Sequence, residues 1–401
     1  MNTTEESAPT PSVPPPPKTA TRAIGHRPRM ATFLWVLLGV TAVAHIGPTI
    51  GVTELARRLG APQPWLVSGV LLTLGVALFL GRARAGMADH HRSPWLTSLI
   101  DEPYYVHWTA CIFSLVPSIV AAIVCSIAGW SVSAPFMWIY LAGLIVCGYG
   151  VIVRRRLFVV RKVEVPITGL HPSLDGYRIA QLSDMHIGAM TPRKRADAWV
   201  RAANALSPDL TVITGDMVTN GTEFHHDIAA LVGDLRAKDG TFVSMGNHDY
   251  FGEGEPLATL IADKGGRVLR NEGLIISRDE GKFWLAAIDD TWTRRDDMDA
   301  ALKDRPLGMS SVLLAHDPER FRDAYKRDVD LVLSGHTHGG QIALPFFAEH
   351  VTLSKLTHHY HLGMYTRGKS TLYVHPGLGT TGPPIRLGVA PAVVLITLRA
   401  V

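Results

Sequence analysis

Five short β-rich runs in the second half of the chain end in residues that can bind a metal ion. Residues 177–182 lead into Asp184-Met185-His186, 210–214 into Gly215-Asp216, 241–245 into Gly246-Asn247-His248-Asp249, 311–315 into His316, and 330–334 into Gly335-His336-Thr337-His338. Where strands alternate with helices, residues just beyond the carboxyl ends of the strands gather along one edge of the sheet, so these groups are expected to converge. In Asp184-x-His186 and His336-x-His338, alternate residues of an extended segment point the same way. Glycines at 215, 246, 335, 339 and 340 let the backbone turn sharply and approach a ligand. Imidazole and carboxylate with an Asn carbonyl, and no thiolate, suit Mn, Fe or Zn. So many ligands exceed the needs of one tetrahedral ion and suit two ions about 3.5–4 Å apart sharing a carboxylate. Such a pair activates water at neutral pH and neutralises charge on a phosphoryl group, so the expected chemistry is in-line displacement at phosphorus.

The elements that must position these groups begin at about residue 177, where β-rich runs alternate with helical stretches and predict a layered α/β domain. The first 153 residues are apolar and poor in acids, whereas most Asp, Glu and His residues lie beyond Arg154, so a membrane half precedes a soluble half. All three cysteines, Cys111, Cys125 and Cys147, fall in the apolar part, which leaves the soluble half no disulfide and no thiolate site. Four stretches, 30–50, 64–80, 105–130 and 134–153, are read as spans against a requirement of roughly 20 apolar residues. Residues 1–29 read as a disordered Pro-rich tail, 30–153 as the transmembrane region, 154–175 as a basic linker and leading strand, and 176–401 as the catalytic unit. The first stretch reads as an anchor and not a cleaved signal, because three more follow it.

Lys and Arg flank the spans unevenly. Twelve lie before the first span, after the second and after the fourth, and only Arg57 and Arg58 lie in the alternate loops. This predicts a multi-pass cell-membrane protein with both termini and the catalytic half in the cytoplasm. His45 and His107 are placed near span ends and read as headgroup-facing, and no paired repeat suggests a transporter. The net charge of +4 comes largely from those flanking residues, so no nucleic-acid partner is expected, and no obligate protein partner is evident.

In this order, the five ligand blocks resemble the signature of the calcineurin-like metallophosphoesterase superfamily, over roughly residues 176–401. The Gly339-Gly340-Gln341 extension and the tail Gly377-Leu378-Gly379-Thr380 with Pro384-x-Arg386 further resemble its bacterial membrane-associated branch. The resemblance implies an α-β-β-α sandwich and a binuclear metal centre. Asp184, His186, Asp216 and His338 would hold one ion, and Asp216, Asn247, His316 and His336 the other, with Asp216 and a hydroxide bridging. The hydroxide would attack phosphorus. His248 would face the substrate and serve the leaving oxygen, with Asp249 orienting its ring. The family commonly has a second Asp three residues after the bridging one, where this chain has Thr219, and Pro391-Ala392 stands where relatives often have Pro-Glu.

Arg386 reads as a phosphate contact, because a guanidinium can grip two oxygens, with surface pairing as the alternative. Asp209 and Asp317 read as turn residues, His225 and His226 as a solvated helix start, His358, His359 and His361 as an exposed loop cluster, and Trp284 and Trp292 as core or rim aromatics. Motifs and spans together predict a phosphoesterase acting on a membrane-associated or lipid-linked phosphate or pyrophosphate, since tethering raises the local concentration of a substrate confined to the bilayer. Relatives in this branch include hydrolases of nucleotide-linked lipid precursors such as UDP-diacylglucosamine. A phosphodiesterase of soluble nucleotides or cyclic dinucleotides is the alternative. A non-catalytic membrane sensor is a third reading, disfavoured because a structural metal site needs no proton donor such as His248.

Overall fold

Apolar sequence in the first third of the chain forms helices, as hydropathy requires. The computed structural model describes residues 27–84, 90–344 and 351–401. Among the described residues, four helical segments are long and apolar enough to cross a membrane: Trp35–Arg58, Pro64–Gly81, Pro94–Ala128 and Ser133–Arg156. The tail expected over 1–29 lies, as far as residue 26, outside the described residues. The first span runs past residue 50 to Arg58. Glu54, buried in the bundle, pairs with Arg57 at 2.6 Å and Arg58 at 2.7 Å, and these pairs within one helix let charged residues continue it. The third begins at Pro94 and not near 105, with Arg92 pairing to Asp101 across its start at 3.1 Å. Both extensions place His45 and His107 well inside their spans, which corrects the headgroup-facing assignment.

Among the described residues, the second half builds two six-stranded sheets. The strands are β1 (Val159–Ile167), β2 (Arg178–Leu182), β3 (Leu210–Thr214), β4 (Thr241–Ser244), β5 (Gly266–Val268), β6 (Glu272–Arg278), β7 (Gly281–Ala287), β8 (Ser311–Leu314), β9 (Leu331–Ser334), β10 (Gly363–Arg367), β11 (Ser370–Val374) and β12 (Ala392–Ala400). One sheet has the order β1-β12-β2-β3-β4-β5 and the other β10-β11-β9-β8-β7-β6, with parallel centres, β2 to β5 and β11-β9-β8-β7. Strand periodicity explains the layers. Leu210 and Val212 of β3 pack between the sheets with Leu285, Leu314 and Leu333, whereas Ile213 turns outward onto Trp199 and Val200 of α1 (Arg193–Ala205) and Leu231 of α2 (His225–Asp234). On the far side Val332 of β9 faces outward against Phe321 and Ala324. The α-β-β-α sandwich therefore has a core between its sheets and one on each outer face. β1, within the stretch read as a basic linker and leading strand, runs parallel to the C-terminal β12 along its whole length and belongs to the sheet.

The halves touch. Ile385 is buried against Cys147 and Val151 of the fourth span, with Ile342 and Leu387 beside it. Gly150 permits this approach, since a Cβ there would sit 2.7 Å from Ile385 Cγ1 and 3.1 Å from Leu387 Cδ2. Arg155 ties the same span to Glu102 at 2.7 Å and donates to the Met190 carbonyl at 2.8 Å. Glu223 accepts from the His91 backbone N–H and bonds His90 Nδ1, both at 2.7 Å.

Candidate metal centre

The loops after β2, β3 and β4 of one sheet and β8 and β9 of the other meet at one end of the sandwich. Gln181, buried on β2, joins the sheets beneath them by donating to Thr214 Oγ1 at 3.0 Å and to the Ser334 carbonyl at 3.1 Å. Two groups of donors form, each within 4.8 Å: Asp184, His186, Asp216 and His338, and Asp216, His316 and His336. They share Asp216, whose Oδ2 lies 3.2 Å from His316 Nε2 and 3.6 Å from His186 Nε2. His338 Nε2 is 3.4 Å from Asp184 Oδ1 and 2.9 Å from His186 Nε2, and His336 Nδ1 is 3.3 Å from His316 Nε2.

The backbone is distorted to achieve this. Asp184, His186, Asp216, His336 and His338 all have positive φ, between 44° and 71°. Such a conformation costs a non-glycine residue about 1–3 kcal/mol and survives where surrounding contacts impose it. The imposing contacts are backbone hydrogen bonds between loops: Asp184 N–H to Gly215 O, His186 N–H to Asp216 O, and Gly379 N–H to Asp184 O at 2.7 Å. Gly246 and Gly335 allow the loops to close, because a Cβ at either would overlap the carboxylate of Asp216 or Asp184.

The donor set fits a pair of divalent cations. Asp184 Oδ2 and Asn247 Oδ1 are buried without a hydrogen-bond partner among the described residues, a costly condition that a cation relieves. Burial first, and then the neighbouring His248 for His186 and His316 for His336, hold both imidazoles down to about 3, so their lone pairs are free. Burial and the nearby His186 likewise hold His338 well below the ordinary histidine range. His316 goes the other way. Burial alone would lower it, but the Asp216 carboxylate prevails and pushes it up to about 10, so a proton sits where a cation would be held. His316 Nδ1 donates to the Thr214 carbonyl at 2.7 Å, which aims Nε2 at Asp216.

Around this cluster two expectations are corrected. Asp249 does not reach the ring of His248. Its carboxylate accepts the backbone N–H groups of Asp216, Met217, Val218 and Gly246 at 2.8–3.2 Å and so clamps the loops after β3 and β4 together. The ring of His248 is oriented instead by Nδ1 donating to the Thr219 carbonyl at 2.7 Å, with Nε2 3.4 Å from Thr381 Oγ1. It stands perpendicular to the His186 ring at 4.6 Å. Nor is Arg386 a phosphate contact. It is fully buried, donating from Nε and Nη2 to the Gly379 carbonyl at 3.0 and 2.6 Å and from Nη1 to the Pro376 carbonyl at 2.8 Å, with Nη2 3.3 Å from His338 Nδ1. A loop that folds back over its own arginine consumes the donors that sequence alone leaves open for substrate.

Thr219 occupies the position where the family commonly has a second Asp. Its Oγ1 donates to the His186 carbonyl at 2.9 Å and its own carbonyl holds His248, a function that any residue's backbone can serve. His336 is flanked by His358 at 5.4 Å and by Trp292 at 5.8 Å, ring to ring, so Trp292 takes the rim position among its two readings and His358 joins it from the loop read as exposed. His361 is buried, not exposed, and bonds Tyr365; His225 is buried while His226 is exposed. Trp284 is a core residue bonded to the Ala301 carbonyl, and Asp317 serves a turn by accepting from Glu319 N–H, whereas Asp209 reaches beyond its own turn to accept from Arg178 N–H at the start of β2.

The sequence profile described as calcineurin-like phosphoesterase matches residues 177–340. A Bacillus subtilis (strain 168) protein named uncharacterized metallophosphoesterase YkuE is 34% identical over 232 residues, 56% of this chain and 80% of that one. A Bos taurus transmembrane protein with metallophosphoesterase domain is 33% identical over 258 residues, covering 60% of this chain but only 57% of its own length. Among solved structures, Haemophilus influenzae NAD nucleotidase aligns over 50% of this chain and 45% of its own, at 15% identity and a TM-score of 0.35.

Proposed function

The chain belongs to the calcineurin-like metallophosphoesterase family, and from that premise we propose that it is a membrane-anchored, two-metal hydrolase of a lipid-linked phosphate ester or pyrophosphate, with its catalytic half in the cytoplasm. One observation carries the reading: two donor clusters share Asp216, with the buried oxygens of Asp184 and Asn247 unpartnered beside them. Asp184, His186, Asp216 and His338 would hold one ion and Asp216, Asn247, His316 and His336 the other. Mn, Fe and Zn all suit these donors. When bound, the ions acidify water and neutralise charge on the phosphoryl group.

The protein's own residues do the rest. His248, with Nδ1 committed to Thr219, has Nε2 left to pass a proton to the leaving oxygen. Asp249 keeps the loops bearing Asp216 and Asn247 in register by accepting four backbone N–H groups. Support for a lipid-linked substrate comes from the junction of the halves. Residues 385–387 pack on the fourth span and, through Arg386, adjoin His338, so the site lies next to the membrane half and not at its remote end. Arg92 and Arg154–Arg156 lie toward the catalytic half, whereas Arg57 and Arg58 lie at the opposite span ends, which supports a cytoplasmic location.

The test is hydrolysis by the full chain in nanodiscs, stripped of metal and resupplied with Mn, Fe or Zn. A phospholipid pyrophosphate is compared with its water-soluble headgroup diester, and Asp216→Asn and His248→Ala serve as variants. Metal-dependent turnover of the lipid, lost in Asp216→Asn and reduced about 100-fold or more in His248→Ala with metal content unchanged, is expected. Turnover of the soluble diester alone would replace the lipid with a soluble nucleotide as substrate.

A further inference from the structure

A second cluster of metal-ligating side chains lies inside the membrane half, remote in sequence from the residues assigned to catalysis. His45 of the first span and His107 and Cys111 of the third bring one donor atom each within 4.8 Å of one another. His45 is 6% exposed and Cys111 is completely buried. Ionisable groups inside a span are costly, and apolar residues would pack there at lower cost, so their meeting calls for a function.

Neighbours prepare the donors. His45 Nδ1 donates to the Thr41 carbonyl at 2.7 Å, which leaves the Nε2 lone pair free. His107 Nδ1 bonds the Tyr140 hydroxyl of the fourth span at 2.7 Å, and with that nitrogen as donor its Nε2 is free as well. His107 and Cys111 are four residues apart on one helix and share a face, with Sγ 3.9 Å from Nε2. That separation is below the sum of a metal–nitrogen bond of about 2.0 Å and a metal–sulfur bond of about 2.3 Å. The two imidazoles meet edge to face with centroids 5.1 Å apart, beside a cavity of about 10 Å³ lined by His45, Thr49, Ser68 and His107 and otherwise by apolar side chains. A space of this size takes one water-sized occupant. The second span closes the site with Gly75, where a Cβ would lie 3.5 Å from His107 Nε2 and 3.9 Å from His45 Nε2. The first three spans therefore line one small chamber, and the fourth supports it from outside through the Tyr140 bond to His107.

The chemistry of the donors and of the surroundings selects the ion. Two neutral imidazoles and one thiolate, whose proton is released to water as the ion binds, are soft to borderline ligands, and thiolate favours copper(I) or zinc. A low-dielectric interior penalises net charge, and a monovalent ion with one thiolate leaves none, whereas a divalent ion leaves one positive charge and asks for a fourth ligand. We propose that His45, His107 and Cys111 form an intramembrane site for a single copper(I) ion, held between the first and third spans and independent of the phosphoesterase centre.

Sulfur separates this site from the phosphoesterase centre, because the soluble half contains no cysteine and its cluster can offer copper only nitrogen and oxygen, and Cys111→Ser separates Cys111 from Cys125 and Cys147. The full chain in nanodiscs, loaded anaerobically with copper(I) against the chelator bicinchoninate, should retain one equivalent more than Cys111→Ser, and X-ray absorption should show copper–sulfur scattering that this variant lacks. Gly75→Val, which leaves every donor in place and fills the chamber, should lose the same equivalent while eluting as the wild type does. Equal copper in the wild type, Cys111→Ser and His107→Gln, or scattering from nitrogen and oxygen alone, would overturn the proposal and leave the cluster a hydrogen-bonded helix contact.

Discussion

Replacing Arg386 by Met separates two roles that the same residue could have, gripping substrate or bracing the metal loop. The guanidinium makes three hydrogen bonds to two buried carbonyls, those of Gly379 and Pro376. A buried acceptor left unpaired costs about 1–3 kcal/mol, so two cost about 2–6 kcal/mol. Part of this is offset, because burying the charge is itself unfavourable: burial pulls Arg386 down to about 9 despite the nearby Asp184 carboxylate. A net loss of about 2–3 kcal/mol lowers the melting temperature of a domain of this size by about 4–12 °C. The assay is the apparent melting temperature of the full chain at one fixed scan rate, with metal content and the steady-state constants of the loaded enzyme. Arg386→Met should melt earlier and hold less metal, because the loop it braces carries Gly379, bonded to the Asp184 backbone, and its Nη2 lies beside His338. The KM of the loaded fraction should be unchanged. A KM raised tenfold or more, with melting temperature and metal content intact, would refute the bracing role and restore Arg386 as a substrate contact.

Asp249→Ala removes the acceptor of four backbone N–H groups and should destabilise the catalytic half by about 3–5 kcal/mol, read as an earlier melting transition with loss of metal. Gly246→Ala sets a Cβ against the Asp216 carboxylate, so elemental analysis should find both ions depleted although no ligand has been changed. Metal-free His316 keeps its proton up to about pH 10, and Nε2 must lose it before binding an ion. Loading should therefore release about one proton at pH 8 and tighten about tenfold per pH unit from neutral toward 10, as calorimetry in buffers of different ionisation enthalpy will reveal. Affinity independent of pH in that window would contradict the assignment.

How much of this was legible in the sequence follows from the range over which each feature is decided. Strand periodicity and the residues that terminate each strand are local, so the positions of Asp184, His186, Asp216, Asn247, His316, His336 and His338 at the ends of β2, β3, β4, β8 and β9 could be read directly, as could four apolar spans. Composition settled which donors were available, since the soluble half has histidine and acid but no cysteine. Only the tertiary structure decided the partners. Asp249 lies next to His248 in sequence, yet the turn sends its carboxylate to the backbone of the neighbouring loop and gives the ring to the Thr219 carbonyl. Arg386 had the chemistry of a phosphate ligand, and the folding of residues 376–379 around it spent its donors on carbonyls. Hydropathy could place His45 and His107 in spans but could not choose the faces they turn. Helix packing, which brings residues 62 positions apart into one chamber, is decided by long-range contacts that no window of sequence contains.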